Sequence, residues 1–139
     1  MVTVNARALL QAALDPSPEA MYYVDTKKGD VVKITASMNK TELLRFKTLL
    51  DKEVDRFLKL PRPTGEETYA DMAAFRATVK DKKLQERLQM AVTGGGTLRN
   101  HVDALSPVPL EKERWYKFRE TRILQRLQGW LRENGLKTS

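Results

Sequence analysis

Residues 21–34 read MYYVDTKKGDVVKI, and this stretch has the composition of a β-hairpin. Tyr22, Tyr23 and Val24 lead into a polar turn that contains Gly29, and β-branched residues lead out of it. Aromatic and β-branched residues on both sides of a glycine-containing turn predict two antiparallel strands. Because a lone hairpin is only marginally stable in water, we expect helices or further strands to cover it.

Helical patterns surround this hairpin. The clearest helix is predicted over residues 39–59, where Asn39 and Glu42 have the spacing of a capping box and apolar residues recur at helical spacing. Further helices are predicted over residues 2–14, 64–80, 84–92, 97–105 and 110–134. Thr64 and Glu67 repeat the capping pattern, and Asp81 is the predicted cap of the helix at residues 84–92. The sequence therefore predicts an α+β fold in a single domain, residues 1–139, with a small N-terminal β-hairpin packed against a bundle of five or six helices.

The composition excludes several classes of function. The chain has 139 residues with 25 Lys and Arg, 18 Asp and Glu, one His and no Cys, which gives a net charge of +7. Without cysteine, disulfides, Cys-ligated metal centres and thiol catalysis are excluded. No stretch has the length and apolar character of a membrane span, and none has the pattern of a signal peptide. We expect a cytoplasmic protein that uses no metal and no cofactor and does not bind membranes.

Four short motifs occur together in the order found in one known family. They are Tyr22-Tyr23-Val24-Asp25 with Gly29-Asp30-Val31-Val32, Gly65-Glu66-Glu67-Thr68-Tyr69-Ala70-Asp71-Met72, Gly94-Gly95-Gly96-Thr97-Leu98-Arg99, and Glu113-Arg114-Trp115-Tyr116-Lys117-Phe118-Arg119-Glu120. Over residues 5–136 the pattern resembles an uncharacterised family of small bacterial proteins. The resemblance implies an α+β fold and brings no established activity. The chain differs from the family at Leu98 and His101, where the family has phenylalanines, and at Val102, where it has lysine.

The glycine-rich stretch before the helix at residues 97–105 is a first candidate binding site. Gly94 and Gly96 precede a helix N-terminus, whose backbone N–H groups and dipole favour an anion, and Arg99 adds a cation. Neither a preceding strand nor a following Lys-Ser/Thr pair is present, so the stretch is not a P-loop. The alternative is a tight connection between two helices, with Arg99 paired to Asp103 four residues later.

The last predicted helix is a second candidate. Trp115, Arg119, Arg122 and Arg126 are spaced i, i+4, i+7 and i+11, so they form a ridge along one side of the helix. Residues 111–139 hold eight basic and four acidic residues and so carry +4 of the net charge. An arginine ridge beside a tryptophan suits phosphates or an acidic partner. The alternative is that these arginines pair with carboxylates of neighbouring helices.

Carboxylates and the single histidine are the remaining candidates. Glu66, Glu67 and Asp71 lie in the first turns of a predicted helix, and Glu67 and Asp71 share a face. Such a pair suits acid–base chemistry or Mg²⁺, although negative charge at a helix N-terminus is stabilising in itself. His101 is the only side chain that ordinarily titrates near neutral pH. Because it stands where the resembled family has phenylalanine, a packed ring is favoured over a catalytic one.

These features together favour a non-enzymatic binding or regulatory protein. We expect a basic helical face to bind an acidic partner, which is a protein, a nucleotide or a nucleic acid. The free edge of the hairpin also suits a homodimer or a partner strand. The alternative is a small hydrolase or transferase with a pocket around Arg99, His101, Glu67 and Asp71, against which stand the lone histidine and the lack of any catalytic spacing.

Overall fold

The computed structural model describes residues 1–93 and 97–139. It contains two compact units, Met1–Arg62 with Ile123–Ser139, and Pro63–Arg122. The helices and small sheets of the described residues confirm the predicted α+β class, while a single domain stays a prediction. The elements in chain order are β1 (Thr3–Val4), α1 (Ala6–Leu14), β2 (Met21–Asp25), β3 (Val31–Ile34), α2 (Lys40–Lys52), β4 (Phe57–Lys59), α3 (Gly65–Thr78), α4 (Lys82–Val92), α5 (Leu98–Leu105), α6 (Pro109–Glu133) and β5 (Lys137–Thr138).

The predicted hairpin is present in the first unit. β2 and β3 run antiparallel, with Val24 opposite Val31. In the turn between them Gly29 has a φ of +80°, in the left-handed region that side chains disfavour. A Cβ atom at Gly29 would lie 2.3 Å from the carbonyl oxygen of Thr3, which belongs to β1. The turn therefore requires glycine both for its backbone angle and for the close approach of β1.

The prediction of a helix that continues to residue 59 is wrong at its C-terminal end. α2 ends at Lys52, and the chain then forms β4, which pairs antiparallel with β2 so that Phe57 lies opposite Asp25. The buried Asp25 carboxylate accepts hydrogen bonds of 3.0 and 2.8 Å from the Arg56 guanidinium. A buried charge needs such a partner, and Phe57 gains burial at the same time. These tertiary contacts outweigh the helical periodicity of the segment.

The core of the first unit lies on one face of the sheet, whose strand order is β3-β2-β4. α1 and the C-terminal half of α6 supply most of its apolar side chains. β1 and β5 pair in parallel, which joins the two ends of the chain within this unit. The buried residues of this core are Val4, Leu9, Ala12, Ala13, Val24, Leu60, Ile123, Leu127, Leu131 and Leu136.

The opposite face of the same sheet carries α2. Neighbouring residues of a strand point to opposite faces, so Tyr23 and Phe57 face away from the core that holds Val24. The ring of Phe46 in α2 packs between them, with centroid distances of 5.4 Å to Tyr23 and 5.1 Å to Phe57. None of the 13 residues of α2 is buried. This helix therefore lies on the outside of the unit, and it contacts the sheet through half-buried side chains that include Phe46.

The second unit is helical and centres on Phe75. Thr64 and Glu67 form the capping box of α3 and Asp81 caps α4, as the sequence predicts. α5 begins after Thr97, whose side chain caps it. The buried apolar residues are Met72, Phe75, Val79, Leu84, Leu88, Val92, Leu105 and Trp115. Among the described residues of both units, no helix has the length and apolar character needed to cross a membrane.

Replacing Gly29 by alanine is expected to destabilise the protein. The added methyl group meets a backbone carbonyl and the residue keeps a positive φ, so we expect the free energy of unfolding to fall by about 1–3 kcal/mol. Urea unfolding followed by circular dichroism measures the change. Gly65→Ala is the matched control, because nothing lies within 4 Å of the added atom in that helix. Equal stability of the Gly29→Ala variant and the native chain would contradict this account of the turn.

Candidate functional site

The predicted arginine ridge lies on α6, but much of it faces inward. Trp115 is fully buried in the core of the second unit. Arg119, Arg122 and Arg126 are each partly buried. The ridge residues therefore share one side of the helix, as the spacing predicts, and that side is not an open basic surface. Their role in ligand binding stays a prediction.

Arg122 is engaged with Asp71, which lies in α3. Its Nε atom donates a 2.5 Å hydrogen bond to Oδ1 of Asp71, whose side chain is 2% exposed. The Arg122 guanidinium also lies 5.7 Å from the centre of the Phe118 ring. This is the pairing with a neighbouring helix that the alternative interpretation expects. It ties α3 to α6 within the second unit and takes the carboxylate out of reach of solvent and substrate.

His101 and Trp115 form the centre of an aromatic cluster. Their ring centroids are 4.4 Å apart, and Phe75 packs edge-on against both at 5.9 and 5.4 Å. Among the described residues, neither ring nitrogen of His101 has a hydrogen-bond partner, and the same holds for Nε1 of Trp115 and Nε of Arg119. Burial, with a smaller contribution from the charge of Arg76, lowers the pKa of His101 to about 4. His101 is therefore a neutral, packed ring at neutral pH.

Arg99 lies outside this cluster. Its side chain is 89% exposed, and its Nε atom is 4.0 Å from the Asp103 carboxylate one helical turn later. An exposed pair at that distance contributes little to stability. Gly94 and Gly96, the other members of this candidate site, lie outside the described residues. Among the described residues of this candidate site, Arg99 is thus an exposed cation on α5.

The predicted carboxylate pair is divided between two structural tasks. Glu67 accepts a hydrogen bond from the backbone N–H of Thr64 in the capping box of α3. Asp71 is buried and bonded to Arg122. Within residues 1–93 and 97–139, no cluster of three potential ligands among His, Asp and Glu is placed to hold a metal ion. The two carboxylates therefore have local explanations that need no reaction.

An exposed basic surface lies on α2, which holds none of the residues predicted to bind a ligand. Lys40, Arg45, Lys47 and Lys52 are all exposed, and among the described residues none of them lies within 4.0 Å of a carboxylate. We call the exposed side of this helix the α2 basic face; its residues are Lys40, Thr41, Glu42, Leu44, Arg45, Lys47, Thr48, Asp51 and Lys52. It carries four cations and two anions.

The four cations of the α2 basic face form two rows. At about 100° per residue, Lys40 and Lys47 project within about 20° of each other, and so do Arg45 and Lys52. The two rows are about 140° apart around the helix axis. Between them lie an exposed Leu44, two threonines and Asp51. The half-buried Leu43, Phe46, Leu49 and Leu50 occupy the other side, which faces the sheet.

The positive charge of the whole chain is also concentrated in the first unit, which contains α2. The first unit holds 14 Lys and Arg against 9 Asp and Glu, a net +5, and the second unit holds 11 against 9, a net +2. The seven-residue spacing of both lysine and arginine pairs in α2 is visible in the sequence and could have revealed the face. The charge count along residues 111–139 favours α6 instead, because such a count does not distinguish exposed cations from buried ones.

Replacing His101 by phenylalanine is expected to change how stability depends on pH. The pKa of His101 is lower in the folded chain than the ordinary 6.5, so the unfolded chain binds the extra proton between pH 6.5 and 4. The native chain should therefore lose about 3 kcal/mol of stability as the pH falls through this window. Above it the contribution is fully present.

Urea unfolding at a series of pH values measures this effect. The His101→Phe variant keeps an aromatic ring and loses the titration, so its stability relative to the native chain should rise as the pH falls from 6.5 to 4. The pKa of Asp25, held at about 2 by Arg56, places the titration of that carboxylate below the window. Parallel curves for the two proteins would contradict a buried neutral His101.

Comparison with known proteins agrees with the resemblance carried by the four motifs. Residues 2–139 match the family described as "Uncharacterised protein family (UPF0158)". No curated protein and no solved structure matches the chain. Since the match spans nearly every residue, this chain belongs to the uncharacterised protein family UPF0158.

Proposed function

We propose that this chain is a non-enzymatic binding protein that holds an acidic partner on the α2 basic face. The observation that carries the proposal is the exposure of four cations on a helix that buries none of its own residues. Among the described residues these cations have no carboxylate within 4.0 Å, so an incoming anion need not displace an internal ion pair. The excess charge of the first unit attracts the same partner from a distance.

The choice of α2 over α6 rests on what each cation already contacts. Arg122 is committed to a buried carboxylate, and burial lowers the pKa of Arg119. Removing either from its surroundings to meet a ligand requires unpacking part of the second unit. Lys40 and Lys47 reach solvent without any such change. An acidic partner therefore meets a lower free-energy cost at α2.

The enzymatic alternative has less support. It needs Arg99, His101, Glu67 and Asp71 around one accessible space. Arg99 is 89% exposed, whereas His101 and Asp71 are almost completely buried and Asp71 is bonded to Arg122. An exposed cation and two enclosed side chains do not form a common surface for a substrate, so we favour binding over catalysis.

Elution from immobilised heparin tests the proposal. Lys40→Gln/Lys47→Gln removes two charges from the α2 basic face, and Lys82→Gln/Lys83→Gln removes two exposed charges from α4 in the second unit. Both variants have the same net charge, +5. We expect the α2 variant to elute at clearly lower salt than the native chain, because the proposed contact with the polyanion is made by the α2 basic face, whereas the α4 pair contributes only through the net charge.

The α4 variant is the control for net charge. We expect it to elute close to the native chain. If both variants shift equally, net charge alone explains retention and the α2 basic face is not a binding site. If the native chain is not retained above a neutral protein of the same size, the proposal fails.

A further inference from the structure

The shape of the α2 basic face restricts the partner further. An α-helix with its side chains is about 10–12 Å across, and the major groove of B-form DNA is about 12 Å wide. Two rows of cations about 140° apart leave the helix on opposite flanks, and each row spans about 10.5 Å along the axis. A helix lying in that groove would direct one row toward the phosphates of each strand. A flat anionic surface that faced the midline between the two rows, near Leu44, would lie about 70° away from the outward direction of each row, so neither row would point straight at it.

We propose that α2 lies in the major groove of duplex DNA, with Lys40 and Lys47 on the phosphates of one strand and Arg45 and Lys52 on those of the other. This rests on the proposed function, since it names the partner of the same face. α2 can enter a groove because none of its 13 residues is buried and Leu44 on its outer side is 66% exposed.

The residues between the two rows predict weak sequence preference. Leu44 and Thr48 bring methyl groups to the groove floor, where the thymine methyl is their natural contact. The middle of the face has no Arg, Asn or Gln to make the two-pronged contacts that distinguish guanine and adenine. Most of the binding free energy therefore comes from phosphates, and affinity should depend steeply on salt. Asp51 lies in the same middle zone, and the exposed Glu42 lies about 60° around the helix from Arg45. Both carboxylates oppose binding through their negative charge.

Other polyanions fit this geometry less well. The major groove of an A-form RNA duplex is deep and too narrow for a helix. A single strand has only one line of phosphates and is usually bound by stacking on exposed aromatic rings. Phe46, the aromatic residue of α2, instead packs against the sheet through Tyr23 and Phe57. Of these three nucleic acids, duplex DNA is the one whose major groove places phosphates on both sides of a bound helix.

Fluorescence anisotropy with a labelled 20-base-pair DNA duplex tests this inference in 50–200 mM salt. Four phosphate contacts predict that the Kd weakens about 150-fold across that range. Lys40→Gln/Lys47→Gln and Arg45→Gln/Lys52→Gln each remove one row and should reduce the change to about 12-fold. Lys82→Gln/Lys83→Gln should leave it as in the native chain. Asp51→Asn should tighten binding, because it removes the opposing charge.

The competing ligands separate this inference from the proposed function. An RNA duplex and a single DNA strand of the same sequence should each bind at least about tenfold more weakly than the DNA duplex. Equal affinity for all three overturns groove binding, while heparin retention through α2 still supports an acidic partner. Tighter binding of polyglutamate than of DNA overturns it in favour of an acidic protein. Unequal effects of the two row variants, with one row inert, overturn the contact with both strands.

Discussion

The first unit depends on one buried carboxylate, that of Asp25. It accepts hydrogen bonds from the backbone N–H groups of Lys27 and Lys28, which closes the hairpin turn. It also accepts the paired hydrogen bonds of Arg56, which hold β4 against β2. The Arg56 contact lowers the pKa of Asp25 to about 2, although burial acts in the opposite direction. These hydrogen-bond donors stabilise the buried charge of Asp25 inside the unit. The loss of any one donor would leave the carboxylate without one of its hydrogen bonds.

The position of α2 follows from this pairing. β4 brings Phe57 to the sheet surface, and the ring of Phe46 rests on it. The cations of α2 stay in solvent because they lie on the side of the helix that faces away from the sheet. Arg56 and Arg122 donate hydrogen bonds to buried carboxylates, whereas the strongly hydrated ammonium groups of Lys40, Lys47 and Lys52 in α2 stay in solvent.

For the candidate sites, local sequence predicts which residues share a helix face but not the surroundings of that face. Helical spacing correctly places Trp115, Arg119 and Arg122 on one side of α6, because a period of 3.6 residues defines which side chains share a face. It does not say whether that face meets water or another helix. The packed ring favoured for His101 agrees with its complete burial. A position that holds an aromatic ring in the resembled family has room for a ring of similar volume. The Asp71 carboxylate that pairs with Arg122 lies 51 residues away in the chain, beyond any local pattern.

Local patterns were sufficient for the hairpin at residues 21–34, the caps at Thr64 and Asp81, the α+β class and the excess of positive charge. Each of these depends on residues a few positions apart, whose backbone preferences are carried by the neighbours themselves. Tertiary structure decided the rest: β4 in place of the last turns of a helix, the inward side of the arginine ridge, and the outward side of α2. Those outcomes depend on which side chains pair with the buried charges and on which apolar surfaces pack against the helices. In both cases the contacting residues come from distant parts of the chain.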